Sequence, residues 1–134
     1  MNDKINDERI AAHWIETADK DYKTMLNMYR TKDFHWALFI GHLVIERLLK
    51  ACVIKNKKQH APPTHDLLRL AKIAGLETDD EKADWLDTIT TFNINARYDS
   101  YKKEFYKKCT PEYSSGWIKK IKTLRKWIKE TQLN

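Results

Sequence analysis

The stretch from Asp33 to Asn56, DFHWALFIGHLVIERLLKACVIKN, constrains this chain more than any other. It is mostly apolar, holds no proline and has a single glycine, Gly41. That is too long for an ordinary strand, and its periodicity predicts a helix buried on most sides. The polar exceptions carry the information. His35, His42, Glu46 and Lys50 follow at intervals of seven, four and four residues, so at about 100° per residue they share an arc of roughly 80°. Arg47 lies about 60° beyond Lys50 on the same count. A charged stripe on an apolar helix must meet water, a partner or a ligand.

The remaining segments read as further helices. From Glu8 to Tyr29 the apolar residues Ile10, Ala11, Trp14, Ile15, Ala18, Tyr22, Met25 and Leu26 recur at three- and four-residue steps, with acidic residues at the start. Arg30 to Asp33 is long enough only for a reversal into the buried helix. Lys57 to Thr64, KKQHAPPT, is an extended loop because Pro62 and Pro63 exclude a helix. A short helix starts at Thr64 or His65, with Asp66 in its first turn, and stops at Gly75. The pattern TDDE at Thr78 to Glu81 opens a fourth helix through Trp85, Leu86, Ile89 and Phe92. Ala96 to Cys109 lacks a clear period and is expected to be irregular, helical in part at most. Thr110 caps, and Pro111 begins, a last helix to about Gln132, in which Gly116 is a mild weakness. No segment alternates like a strand. The expected fold is all-α: an up-and-down four-helix bundle with one extra short helix, a single domain over residues 1–134.

Composition narrows the setting. With 3 glycines and 3 prolines in 134 residues, a turn-rich β fold is excluded. Cys52 and Cys109 are not in metal-ligand spacing, and Cys52 falls in the apolar helix, as expected in a reducing cytoplasm. The start of the chain is polar, and charges interrupt the apolar helix, so a soluble intracellular protein without a membrane span is expected. The charge of +6 is uneven: Lys102 to Glu130 holds ten basic and three acidic residues, a net +7, leaving about −1 elsewhere. Two readings fit this segment: a solvated lysine-rich face, or a surface for a polyanion through Lys119, Lys122, Arg125 and Lys126.

Three landmarks then fall in order. HLVIERLLKACV at His42 to Val53 carries Glu46 and Lys50. PTHDLLRLA at Pro63 to Ala71 carries His65, Asp66 and Leu67. NARYD at Asn95 to Asp99 carries Arg97 and Tyr98. Together they resemble the HEPN domain family, over about Trp14 to Leu124. The resemblance implies an up-and-down bundle, commonly a homodimer, that binds nucleotides or RNA and is often encoded beside a separate nucleotidyltransferase in toxin–antitoxin-like pairs. The RNA-cleaving branch carries an Arg followed after four to six residues by His. Here Arg97 is followed at those positions by Lys102, Lys103 and Glu104, and no histidine occurs after His65. Arg30 and His35 match the spacing only across the first helix junction. A non-catalytic module is therefore expected, with an RNA-cleaving toxin or a purely structural docking bundle as alternatives.

The candidate ligand residues for a phosphate or nucleotide are Glu46, Lys50, His65, Arg97 and Tyr98. Each has a structural reading beside the functional one. Glu46 and Lys50 are a favourable i, i+4 ion pair that Arg97 could join. His65 and Asp66 sit at a helix start, where free N–H groups suit either a cap or an anion. His35 and His42 are about 10 Å apart along the helix, too far to share an ion, so neither a metal nor a cofactor is expected. The five tryptophans belong to the core or a dimer surface before they are stacking platforms. Trp36, Phe39, Ile40 and Leu43 extend the apolar surface of the second helix beyond what one bundle interior covers, and so point to a homodimer.

Overall fold

The computed structural model describes the backbone of residues 2–133 and the side chains of residues 6–133. Its elements are α1 (Asn2–Arg30), α2 (Phe34–Lys57), α3 (Leu67–Ala74), α4 (Asp80–Asn95), α5 (Asp99–Lys108) and α6 (Pro111–Gln132). No strand occurs among the described residues. The expected all-α bundle is what forms, with two short helices beside the four long ones. The second of these, α5, occupies the segment expected to be irregular. Its period is faint because Phe105 is its one buried side chain, resting on Phe92 at 5.4 Å between ring centroids.

Cross-helix partners fix the directions. Trp14 meets Lys50, Asp21 pairs with Arg47, and Tyr29 touches Phe34, so residue numbers rise on α1 as they fall on α2. The same antiparallel order joins α4 to α6 through Lys82 with Trp127, Trp85 with Lys120, and Phe92 with Trp117. The four long helices therefore alternate up and down. Asp19 on α1 accepts from Arg125 at 3.1 Å and Lys129 at 2.8 Å on α6, closing the bundle.

α2 lies at the centre. Ala37, Leu38, Val44, Ile45, Leu48, Leu49 and Val53 are fully buried, each worth on the order of 1.5–3 kcal/mol of transfer free energy for the larger side chains. Gly41 lets α6 approach: a Cβ there would lie 2.5 Å from Ile121 Cδ1 and 3.1 Å from Met25 Sδ. Trp36, Phe39 and Ile40 are half-buried and pack against that core, and Leu43 beside them is half-buried. The helix ends follow their local chemistry. Thr110 caps α6 by accepting from Tyr113 N. Asp66 caps α3 through Arg69 N, one position before the first turn where it was expected. Asp79, rather than Thr78, caps α4 through Lys82 N.

Candidate functional site

The polar stripe of α2 faces the loop before α3 and the end of α4. Its centre is Glu46, whose side chain is 6% exposed. One carboxylate oxygen accepts from Nδ1 of His65 at 2.7 Å, and the other from Nζ of Lys50 at 3.3 Å. His42 lies one turn earlier, fully buried, and its Nε2 donates to the backbone oxygen of His65 at 3.0 Å. The loop is thus held twice at one residue, through its ring and through its carbonyl. Nδ1 of His42 is buried without a partner among the described residues. Burial pushes the protonation of His42 down; the bond to the His65 carbonyl and the charge of Glu46 oppose this, and Arg97 adds least to the lowering.

His65 is the exposed member of this group, with 55% of its side chain accessible. With Nδ1–H committed to Glu46, Nε2 is the nitrogen left for solvent. Lys50 is different. Its ammonium is nearly buried against Glu46 and the ring of Trp14, 5.4 Å from the centroid. Its charge serves the fold.

Arg97 does not join Glu46, contrary to one expectation. It is exposed at the end of α4, donates from Nε to the oxygen of Asn93 at 3.0 Å, and lies 5.6 Å from the ring centroids of both Phe39 and Tyr98. Among the described residues no carboxylate pairs with it. The start of α3 is capped more than it is open: Leu67 N donates to Thr90 Oγ1 and Arg69 N to Asp66 Oδ1.

Sequence order places no imidazole after Arg97, yet the fold brings two to its side of α2. His42 feels its charge, and His35 lies one turn from Phe39, beside Lys102. The tryptophans pack against the hydrophobic core, in line with their expected place there. All five tryptophans are half-buried, and each has a lysine against its ring. The exposed aromatics are Tyr98, Tyr101 and Tyr106, at 55%, 54% and 65%. The alternation of aromatics with charges from Arg97 to Lys108 was their signal in the sequence.

On α6, Lys119, Lys122 and Lys126 are exposed, whereas Arg125 is spent on Asp19 and on the ring of Tyr22, 3.8 Å away. Among the described residues, no helix is long and apolar enough to cross a membrane.

With this geometry in hand, the comparison with known families is decisive: the sequence profile of the HEPN domain matches residues 11–131. The chain belongs to the HEPN domain family. No curated protein and no solved structure matched it. HEPN domains are associated with nucleotide or RNA binding or cleavage, which turns attention to the groups here that could hold a phosphate. Arg97 and His65 are two exposed groups of that kind, and the charge of each acts on the buried His42.

Proposed function

We propose that this HEPN domain is a non-catalytic, cytoplasmic module that binds the phosphate of a nucleotide or of RNA beside the Glu46 network. The observation that carries the reading is the bond from His65 Nδ1 to Glu46 at 2.7 Å. A buried carboxylate that fixes one nitrogen of an exposed imidazole leaves the other poised toward solvent, while Arg97 offers a planar, two-pronged donor without a carboxylate partner. Glu46 and Lys50 position, Arg97 and the doubly protonated form of His65, which donates from Nε2, hold the anion, and Tyr98 flanks it. Binding is favoured over cleavage because the unpaired nitrogen of His42 is sealed from solvent and no histidine follows Arg97 in the chain. Titration calorimetry with a nucleoside monophosphate and with inorganic phosphate tests it. Arg97→Ala and His65→Ala should each weaken binding about tenfold, the loss expected for one charge-assisted hydrogen bond. Equal affinity in both variants rejects the site.

We propose a second copy of the chain as partner on the adjoining face of α2. Trp36, Ile40 and Leu43 are half-buried in one protomer and fall within an arc of about 60°, turned away from the stripe of His42 and Glu46. Sedimentation equilibrium should show a dimer at micromolar concentration. A clean monomer there rejects this reading.

A further inference from the structure

A small buried apolar group joins the first half of α1 to the end of α2. Ala11, Ala51 and Ile54 form it, and Trp14 and Ile15 pack against it. Beside it lies a hollow of about 300 Å³. Ala11 and Ile15 line this hollow from α1, together with Asp7 and Glu8 one turn earlier. Intervals of four residues put Asp7, Ala11 and Ile15 on one face of the helix. Lys55 and Lys58 line it from the end of α2. Two carboxylates from one helix thus share a hollow with two ammonium groups from the other. Among the described residues no ion pair engages any of the four. Lys58 closes α2 in the left-handed conformation, φ 55° and ψ 38°, which favours glycine. A second hollow, of about 490 Å³, adjoins the first through Asp7 and Lys58.

We infer that the hollow between α1 and the end of α2 binds a small zwitterion with an apolar body, the chemistry of a free α-amino acid such as leucine. Its carboxylate meets Lys55 and Lys58, its ammonium meets Asp7 and Glu8, and its side chain covers Ala11 and Ile15. Three observations select this occupant. The lining charges cancel, so a ligand of one sign is attracted by one helix and repelled by the other, whereas a zwitterion is attracted by both. A phosphate would meet the carboxylates, and a polyamine would meet the lysines. The apolar residues beneath the charges give a side chain a surface to bury. Lys58 is the third. A non-glycine residue held in a conformation that costs stability marks a place where its side chain is needed, and here that side chain borders the hollow. The site lies beyond Lys50 on α2 and does not depend on the Glu46 network.

The test is a titration of the isotope-labelled protein with leucine, read from its amide chemical shifts. Binding should be weak, on the order of millimolar, because Glu8, Lys55 and Lys58 are exposed to water. The amides of Asp7 to Ile15 and of Lys55 to Lys58 should shift together and saturably. Leucinamide lacks the carboxylate and N-acetyl-leucine lacks the ammonium. Each should bind about fivefold more weakly, the upper range for one exposed ion pair. Glu8→Gln and Lys58→Gly should weaken leucine by the same factor. Lys58→Gly should melt no lower than the parent, which separates loss of the ammonium from loss of the fold. The absence of a saturable shift up to the solubility limit of leucine overturns the inference. So do derivatives that bind as tightly as leucine, or a Lys58→Gly variant that binds leucine as the parent does. Leucyl-leucine separates the two sources of this chemistry. Weaker binding than leucine supports the free amino acid; tighter binding overturns it in favour of the termini of a short peptide.

Discussion

The Glu46 carboxylate and the His65 ring meet at 2.7 Å although they lie nineteen positions apart, and this bond, with the one from His42 to the His65 carbonyl, ties the loop before α3 to the centre of α2. Glu46 also holds the nearly buried Lys50, so its removal would strand a cation in the interior. Glu46→Ala should therefore cost about 3–5 kcal/mol, the range for breaking a buried pair by deleting one partner. Urea unfolding measures it. Removing both charges with Glu46→Gln and Lys50→Met should cost much less than the single deletion.

Acid should weaken the fold through His42 and His35, whose protonation is pushed down, in both cases chiefly by burial. A lowered folded value means that the unfolded chain takes up protons first. Their neutral forms thus support the fold fully above about pH 6.5, the ordinary histidine value. That support is lost progressively as pH falls below it toward the lowered folded values, by at most about 1.4 kcal/mol per pH unit for each group. Glu46, His65 and Arg97 face His42, and Lys102 and Asp33 face His35. Thermal unfolding between pH 7 and pH 5 should show the decline, and His42→Asn should flatten its slope.

The two helical glycines should respond in opposite directions to alanine. At Gly41 the new methyl group meets Ile121 and Met25, both fully buried. Overpacking of about 1–3 kcal/mol outweighs or matches the roughly 1 kcal/mol of better helix propensity, for a net loss near 1 kcal/mol. At Gly116 nothing lies within 4 Å of the added carbon, so Gly116→Ala should stabilise by about 0.5–1 kcal/mol. Thermal melts of the two variants decide both.

Charge reversal at Lys119, Lys122 and Lys126 should flatten the salt dependence of RNA binding without unfolding the protein. These three are exposed on α6, and the slope of affinity against salt counts the phosphates neutralised. Arg125 is left out because its reversal would break the contact with Asp19. An unchanged slope would identify the α6 lysines as solvated surface.

RNA incubated with the purified protein and a chelator should remain intact. Arg97 can stabilise developing charge, but no imidazole makes a hydrogen bond to it among the described residues. Gel analysis of wild type, Arg97→Ala and His35→Phe checks this. Fragments that vanish in both variants would put Arg97 and His35 in a catalytic site.

What the sequence determined by itself was local. The four long helices, the burial of α2, the stripe of His35, His42, Glu46 and Lys50, the Thr110 cap and the Glu46–Lys50 pair all follow from spacings of three, four and seven residues, which a helix converts directly into neighbours. Two features escaped that reading. α5 has one buried residue, Phe105, so no apolar period announces it. Arg97 was expected beside Glu46 but stacks on Phe39, while His65 takes the carboxylate. Only the tertiary structure decided these pairings, and with them the nearness of His42 and His35 to Arg97 and the diversion of Arg125 to Asp19, 106 residues away. They depend on which faces the antiparallel helices turn to each other, and that is set by the summed packing of the core around α2, through Gly41, Ile121 and Met25 among others, rather than by any interval along the chain.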